Sequence, residues 1–424
     1  MAQALGLGIF VATLAAILAR PWRLSEAHAA LLGALMMLLT GLVRPAEAAR
    51  SIAGEWNTYL FFLGLMATSA LADRAGVFAL LAQSAARWSK GSPRRLYFAV
   101  FALGALVTAV LSNDATALLL TPVVATLVLR LELPPRPFLF ATTFIADTAS
   151  FLLPVSNPIN VLLLGSRVDL VTFLRYLFVP SLAAIVVNYL VFAWWFRHEL
   201  GGRFRPERLQ AVVADDSRRT RRMLWALGIL AAGYVAAAWT RLPLGPVALG
   251  GAVFLAVVAR TAGAFEWRSL WRGISWTLFG FLTGMIVLVR GLENLGVTAW
   301  FGEALLRLGG DSQLRAIVVT AFGTALGANL INNVPMALVM RAVLAAAEST
   351  GRALEPLFFA AVLGADLGPN VTTVGSLATI LWVVSLRRYG ITVSVRQYLF
   401  LGLLVVPAML LLGSLAVWLQ AGTP

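Results

Sequence analysis

The chain has 424 residues, of which 60% are hydrophobic and only 12% charged, and its mean hydropathy is +0.86. Soluble domains carry about 45–50% apolar and about 25% charged residues, so this composition excludes an ordinary globular enzyme, a disordered protein and a nucleic-acid binder, and it points to a polytopic membrane protein. The net charge of +14 reflects loop residues that a cytoplasmic face retains, and the absence of cysteine excludes disulfides, thiolate metal sites and cysteine nucleophiles.

In chain order, apolar runs occupy 4–19, 27–43, 56–71, 96–111, 115–129, 138–153, 177–196, 223–238, 246–259, 276–289, 316–330, 334–347, 357–384 and 398–419. The first lacks a basic start and a cleavage site and reads as a retained span, not a signal peptide. At about 20 residues per crossing, the length allows roughly 10–12 membrane segments, and several runs are short for a full crossing. The one long polar stretch, 197–222, holds eight arginines and four acids. It is expected to be a cytoplasmic linker between an N-terminal half, 1–196, and a C-terminal half, 223–424. Trp22, Trp56, Trp88, Trp194, Trp195 and Trp267 flank runs, as interface anchors do. Arg290 and Arg341, at run ends, are expected to snorkel. Only two histidines exist, His28 and His198, and both border loops. No metal site or cofactor is therefore expected.

The halves repeat. When the chain is shifted so that Trp56 falls on Trp276, Phe61 meets Phe281 and Gly64 meets Gly284. At the same offset Asp73-Arg74-Ala75-Gly76-Val77 meets Glu293-Asn294-Leu295-Gly296-Val297, and Ser112-Asn113 meets Asn332-Asn333. Ala146-Asp147 meets Ala365-Asp366 at an offset one position shorter. The loop with Arg87, Lys90, Arg94 and Arg95 is wholly basic, whereas its counterpart, with Glu303, Arg307, Asp311 and Arg315, sums to zero. Equivalent loops on opposite faces mean two inverted-topology repeats, an architecture of secondary transporters.

Two pairs of polar interruptions carry the chemistry. Ser112-Asn113-Asp114-Ala115-Thr116 and Asn332-Asn333-Val334-Pro335 each separate two short apolar arms, which suits a re-entrant hairpin with a polar tip. Asp147, followed by Pro154-Val155-Ser156-Asn157-Pro158, and Asp366, followed by Pro369-Asn370-Val371-Thr372-Thr373-Val374-Gly375-Ser376, read as broken helices. Unwound backbone at membrane depth is tolerated only where it lines a cavity or is buried in protein. An Asp at a helix centre costs about 2.5–3.5 kcal/mol on insertion, and such residues commonly serve as ion or proton sites. None of these motifs contains Arg or Lys. The Asp, Asn, Ser and Thr inventory suits a cation, protons or a neutral polyhydroxyl species better than an anion. No Walker motif is present, so the chain itself is not expected to hydrolyse ATP.

The run Gly364-Ala-Asp-Leu-Gly-Pro-Asn-Val-Thr-Thr-Val-Gly-Ser-Leu-Ala-Thr-Ile-Leu-Trp382 resembles the signature of the ArsB-type arsenite efflux permeases, within the ion transporter superfamily. Leu111-Ser-Asn-Asp-Ala-Thr-Ala-Leu-Leu-Leu-Thr-Pro122, Asp147-Thr-Ala-Ser150, Ser156-Asn-Pro158 and Asn332-Asn-Val-Pro335 are similar to its other motifs, and the resemblance spans about residues 51–407. In that family Lys commonly stands where this chain has Asn370, and Pro where it has Thr373. The resemblance implies a multi-pass transporter, not an enzyme, in the inner membrane of a prokaryotic cell. It would export arsenite and antimonite in exchange for protons and confer arsenic resistance. Arsenite at neutral pH is largely an uncharged trihydroxide, which agrees with the polar inventory. On this reading Asp147, Asp366 and Asp114 couple protons. Asn113, Thr116, Ser156, Asn157, Asn332, Asn333, Thr372, Thr373 and Ser376 bind substrate. A sodium/proton antiporter, and the membrane subunit of a pump driven by a separate soluble ATPase, remain as alternatives.

Overall fold

A computed structural model describes residues 2–19, 21, 24–165, 169–205, 217–263, 265–348 and 353–422. Residues 206–216 of the expected linker lie outside the described residues, as does Trp22. Among the described residues every regular element is a helix. The first half runs α1 (Ala2–Ala19), α2 (Glu26–Leu39), α3 (Pro45–Gly54), α4 (Trp56–Arg74), α5 (Val77–Trp88) and α6 (Pro93–Val110). It continues with α7 (Asn113–Ala115), a π-helical turn (Thr116–Leu120), α8 (Thr121–Arg130), α9 (Pro135–Thr148), α10 (Pro158–Leu164) and α11 (Leu170–Trp195). The second half runs α12 (Ser217–Trp239), α13 (Leu244–Thr261), α14 (Trp267–Gly273), α15 (Trp276–Asn294) and α16 (Val297–Gly309). It ends with α17 (Gln313–Ile331), α18 (Asn333–Ala347), α19 (Glu355–Leu367), α20 (Leu377–Arg387) and α21 (Val395–Ala421). Eight helices among the described residues are long and apolar enough to cross a membrane, or nine if the bent pair α4–α5 is one span.

The repeat in the sequence is a repeat in space. Trp56 and Trp276, Val77 and Val297, Pro93 and Gln313, Asn113 and Asn333, and Pro135 and Glu355 open equivalent helices, all at the one constant offset. The local devices repeat too. Ser92 caps α6 by accepting from the Arg95 N–H, and Ser312 caps α17 by accepting from the Arg315 N–H. Gly76 (φ +76°) and Gly296 (φ +70°) make the left-handed turns that follow α4 and α15, a conformation only glycine adopts without strain.

Packing obeys the same pseudo-symmetry. The main partner of α4 is α13, and that of its equivalent α15 is α2, the equivalent of α13. A Cβ on Gly64 would lie 2.3 Å from the Ala248 carbonyl carbon, and one on Gly284 would lie 2.4 Å from that of Ala30. These two crossings depend on bare backbone, as close helix contacts in membranes often do. With α1 and α12 they form one sub-bundle. The hairpins α6–α8 and α17–α18, the interrupted helices α9–α10 and α19–α20, and the mutually packed α11 and α21 form the other. Hairpin arms α6 and α17 are longer than the apolar runs alone suggest, 18 and 19 residues. Their first turns carry Arg94, Arg95 and Arg315, which suit the membrane surface. If each hairpin returns to the face it left, each half crosses five times: α1, α2, α4, α9–α10 and α11, then their equivalents. An odd number of crossings inverts the second copy relative to the first.

Candidate functional site

Four helix N-termini meet at the two hairpin tips and the two interruptions. Each is capped by its own polar residue. Ser112 accepts from the Ala115 N–H at 3.1 Å, Asn157 from the Ile159 N–H at 3.1 Å, Asn332 from the Val334 N–H at 3.3 Å and Ser376 from the Thr379 N–H at 3.1 Å. The short polar side chains that break the apolar runs in the sequence thus satisfy the free N–H groups that a broken helix exposes. Asn332 holds φ +75°. That is unusual for a residue with a side chain, and such backbone strain clusters at working sites.

Among these ends lie Asp147 and Asp366, each 1% exposed. The Asn113 side-chain amide donates to Asp147 Oδ1 at 3.4 Å, linking the first hairpin tip to α9. The Asn157 amide donates to Asp366 Oδ1, linking the first interruption to α19 across the two halves. Ser150 bridges the two acids: its hydroxyl donates to the Asp147 carbonyl at 2.8 Å and neighbours the Asp366 carboxylate. The second oxygen of each acid, Oδ2, is buried and has no protein partner. The Asn333 N–H donates to the Gly375 carbonyl at 3.0 Å, tying the second tip to the second interruption. Ala117, Ala146 and Ala378 pack together beside this centre, so small side chains let α9 and α20 approach the first hairpin.

The other expected residues have defined places. Ser156 donates to the Ala109 carbonyl at 3.2 Å and holds the interruption against α6. Thr116 is fully buried and pairs with Thr108 at 2.7 Å inside the first hairpin, one turn beyond the tip. Thr372 binds the Asn329 side chain through its N–H and its hydroxyl, at 3.0 and 2.7 Å, and Thr373 is half-buried. Asp114 neighbours Asp147 but differs from both buried acids in its exposure. It is partly exposed and lines an open cavity of about 340 Å³ with Ser112, Pro158, Asp73, Arg74 and Arg272. The floor of that cavity is one residue removed from Asn113 and Asn157.

Several participants are not among the expected site residues. Asn370 donates to the Phe144 carbonyl at 3.2 Å and to Thr148 at 3.3 Å, and Asn188 of α11 donates to Thr148 at 2.8 Å. The Tyr398 hydroxyl faces Thr143 and Thr379 next to Asp147. Asn329 ties α17 to the Gly368 carbonyl at 2.7 Å. The only sequence signal for Asn188 is a lone amide in an apolar helix, whereas Asn329 belongs to the polar run Ala328-Asn-Leu-Ile-Asn-Asn-Val-Pro335 that leads into the second tip. Arg341 does not snorkel. It lies within α18, pairs with Glu55 at the α3–α4 junction and donates to the Leu162 carbonyl of α10 at 2.9 Å. Arg290 pairs with Glu293 at 2.9 Å and Ser51 at 3.0 Å instead of reaching outward alone. Both arginines line a second cavity, of about 470 Å³, with Glu47, Glu55, Asn294 and Leu338.

Helix N-termini carry partial positive charge, and here they surround the buried carboxyls of Asp147 and Asp366.

Comparison with known proteins bears on the whole chain. The family model described as CitMHS, citrate transporter, matches residues 13–364 and 234–422. The arsenical pump membrane protein of Escherichia coli (strain K12) is 32% identical over 407 residues, covering 94% of each chain. Among solved structures, the YdaH transporter of Alcanivorax borkumensis superposes with a TM-score of 0.60 at 17% identity, covering 89% of this chain and 88% of that one. MtrF of Neisseria gonorrhoeae gives 0.55 at 14% identity, covering 90% and 83%. At such identities these two likenesses concern the fold.

Proposed function

The chain belongs to the CitMHS family and, within it, to the ArsB-type arsenical pump membrane proteins, and from that premise we propose that it exports trivalent arsenite, and antimonite, from a prokaryotic cytoplasm across the inner membrane in exchange for protons. It is a multi-pass membrane transporter. The observation that carries the proposal is the buried pair Asp147 and Asp366. Each is held through one oxygen by one amide and keeps the other oxygen unpartnered. An unpartnered carboxylate oxygen in a site walled by helix ends can accept a hydroxyl of a neutral trihydroxide, or a proton. A proton turns that oxygen into a donor and weakens its hold on a cargo hydroxyl, and this competition is what exchange would use. Asn113, Asn157, Asn332, Asn333 and Ser376 would orient the cargo. Thr116, Ser156 and Thr372 would brace the tips and interruptions that present it.

The distribution of charge supports a sidedness. Arg87, Lys90, Arg94 and Arg95 flank Gly91, whose carbonyl accepts from the N–H of Phe204 in the first described part of the expected linker 197–222 at 3.0 Å, and the positive-inside rule makes that face cytoplasmic. The linker's end reaches the mouth of the cavity that Asp114 lines: Arg219 donates to the Arg74 carbonyl at 3.2 Å and Thr220 to the Ala75 carbonyl at 2.7 Å. Arg74 also pairs with Glu266 there. The open cavity therefore faces the cytoplasm, and this conformation would load cargo from inside. Deprotonation of the acids toward the cytoplasm would permit arsenite to bind. Protonation from outside, after the hairpin sub-bundle moves against the other, would displace it.

The test is arsenite flux in proteoliposomes under an imposed pH gradient, with and without sodium. Flux that follows the proton gradient, ignores sodium and needs no added ATPase is expected. Flux driven by sodium alone, or only with an ATPase present, would refute the proton-exchange reading.

A further inference from the structure

The two cavities are related by the internal repeat. Met66, Asp73 and Leu118 of the inner one correspond, at the repeat's constant offset, to Ile286, Glu293 and Leu338 of the other, and Gly273 corresponds to Gly54 at an offset one position shorter. Inverted halves place such cavities on opposite faces. The correspondence fails where each meets its hairpin. The inner cavity runs to the tip residues Ser112 and Asp114. The outer one includes Leu338 and Arg341 but no residue of the Asn332–Asn333 tip. Arg341 lies about 12 Å along α18 from that tip, at 1.5 Å per residue. It crosses to Glu55, whose other oxygen accepts from Thr58 at 3.0 Å, and its second arm is anchored on the Leu162 carbonyl. The pair thus joins α4 of one sub-bundle to α10 and α18 of the other. The equivalent positions at the inner cavity are Ser275 and Thr121, and Thr121 turns away to pair with Thr142 at 2.9 Å. The outer ion pair spans the two sub-bundles, whereas the inner one, Arg74–Glu266, joins α4 to the start of α14 and involves no hairpin residue.

We propose that Glu55 and Arg341 form the outer gate of the transport path, closing the outer cavity off from the second hairpin tip, and that the pair must part before that tip can open outward. The inference rests on the transport reading and its sidedness. The cysteine-free chain makes the test direct. In Val334→Cys the introduced thiol sits at the tip, behind the clasp, and is the only one in the molecule. Its reaction with a membrane-impermeant maleimide, added outside to right-side-out vesicles, should be slow. It should accelerate at least about tenfold on adding Glu55→Gln or Arg341→Gln, and return to the slow rate in the charge-exchanged Glu55→Arg/Arg341→Glu pair. Unchanged labelling in both single-charge variants would overturn the proposal. So would acceleration that charge exchange fails to reverse, because that marks general loosening. If the single variants do not insert, Glu55→Cys/Arg341→Cys bridged by a short bifunctional methanethiosulfonate decides the matter. Bridging should stop flux until reductant is added, and undiminished flux would overturn the gate. Labelling needs no cargo, so its outcome stands whether or not arsenite is the substrate.

Discussion

The inner and outer cavities are cut from the same positions of two copies of one motif, yet the inner one opens onto a polar tip and the outer one ends at an ion pair. The tips differ as well: Asp114 occupies the place that Val334 holds in the second half. Duplication supplied two matched routes toward one buried centre, and a few side chains decide which route is shut. The contrast also separates the three acids. Asp147 and Asp366 are sealed within the centre, while Asp114 stands at the end of the inner route.

That contrast can be broken or sharpened in order of expected effect. Asn113→Ala and Asn157→Ala each strip a buried carboxylate oxygen of its donor, which costs about 1–3 kcal/mol. Arsenite flux should fall roughly 5- to 150-fold with little change in membrane insertion; flux within twofold of the parent would separate these amides from the site. Gly64→Ala and Gly284→Ala should destabilise the protein to similar extents, about 1–3 kcal/mol each, because both Cβ atoms meet backbone. Thermal unfolding in detergent measures this, and a large effect at only one glycine would break the symmetry of the two crossings. Asp114→Asn should reduce flux less than about tenfold, since this carboxyl faces an open cavity; a loss as deep as at the sealed acids would give it an equal share in proton coupling. Arg307→Gln removes an exposed i, i+4 pair with Glu303 and should shift stability by less than about 1 kcal/mol. A larger shift would mean that α16 is held by more than its own packing.

Much of this arrangement is legible in the sequence because hydropathy and helix breaks are local signals. A carboxylate or a run of Asn, Pro and Ser inside an apolar stretch has few tolerable places in a membrane. Its recurrence at a near-constant offset reveals the repeat, the hairpins, the interruptions and the pairing of Asp147 with Asp366. The rest depends on partners distant in the chain. Asn188 and Tyr398 read as single polar residues in long apolar helices, and only the packing of α11 and α21 around α9 makes them part of the centre. Arg341 resembles a snorkelling run-end arginine because its counter-ion is 286 residues away. Thr116 looks like a tip residue by position, but the next turn of helix directs it to Thr108.

The most direct measurement is pH-driven arsenite flux in proteoliposomes for Asp147→Asn and Asp366→Asn, which keep shape while removing the proton-binding carboxylate. Loss of gradient-driven flux in both, with the protein still inserted and monodisperse, is the predicted result. Undiminished flux that still follows the pH gradient in both variants would contradict a centre in which these two acids exchange protons for cargo.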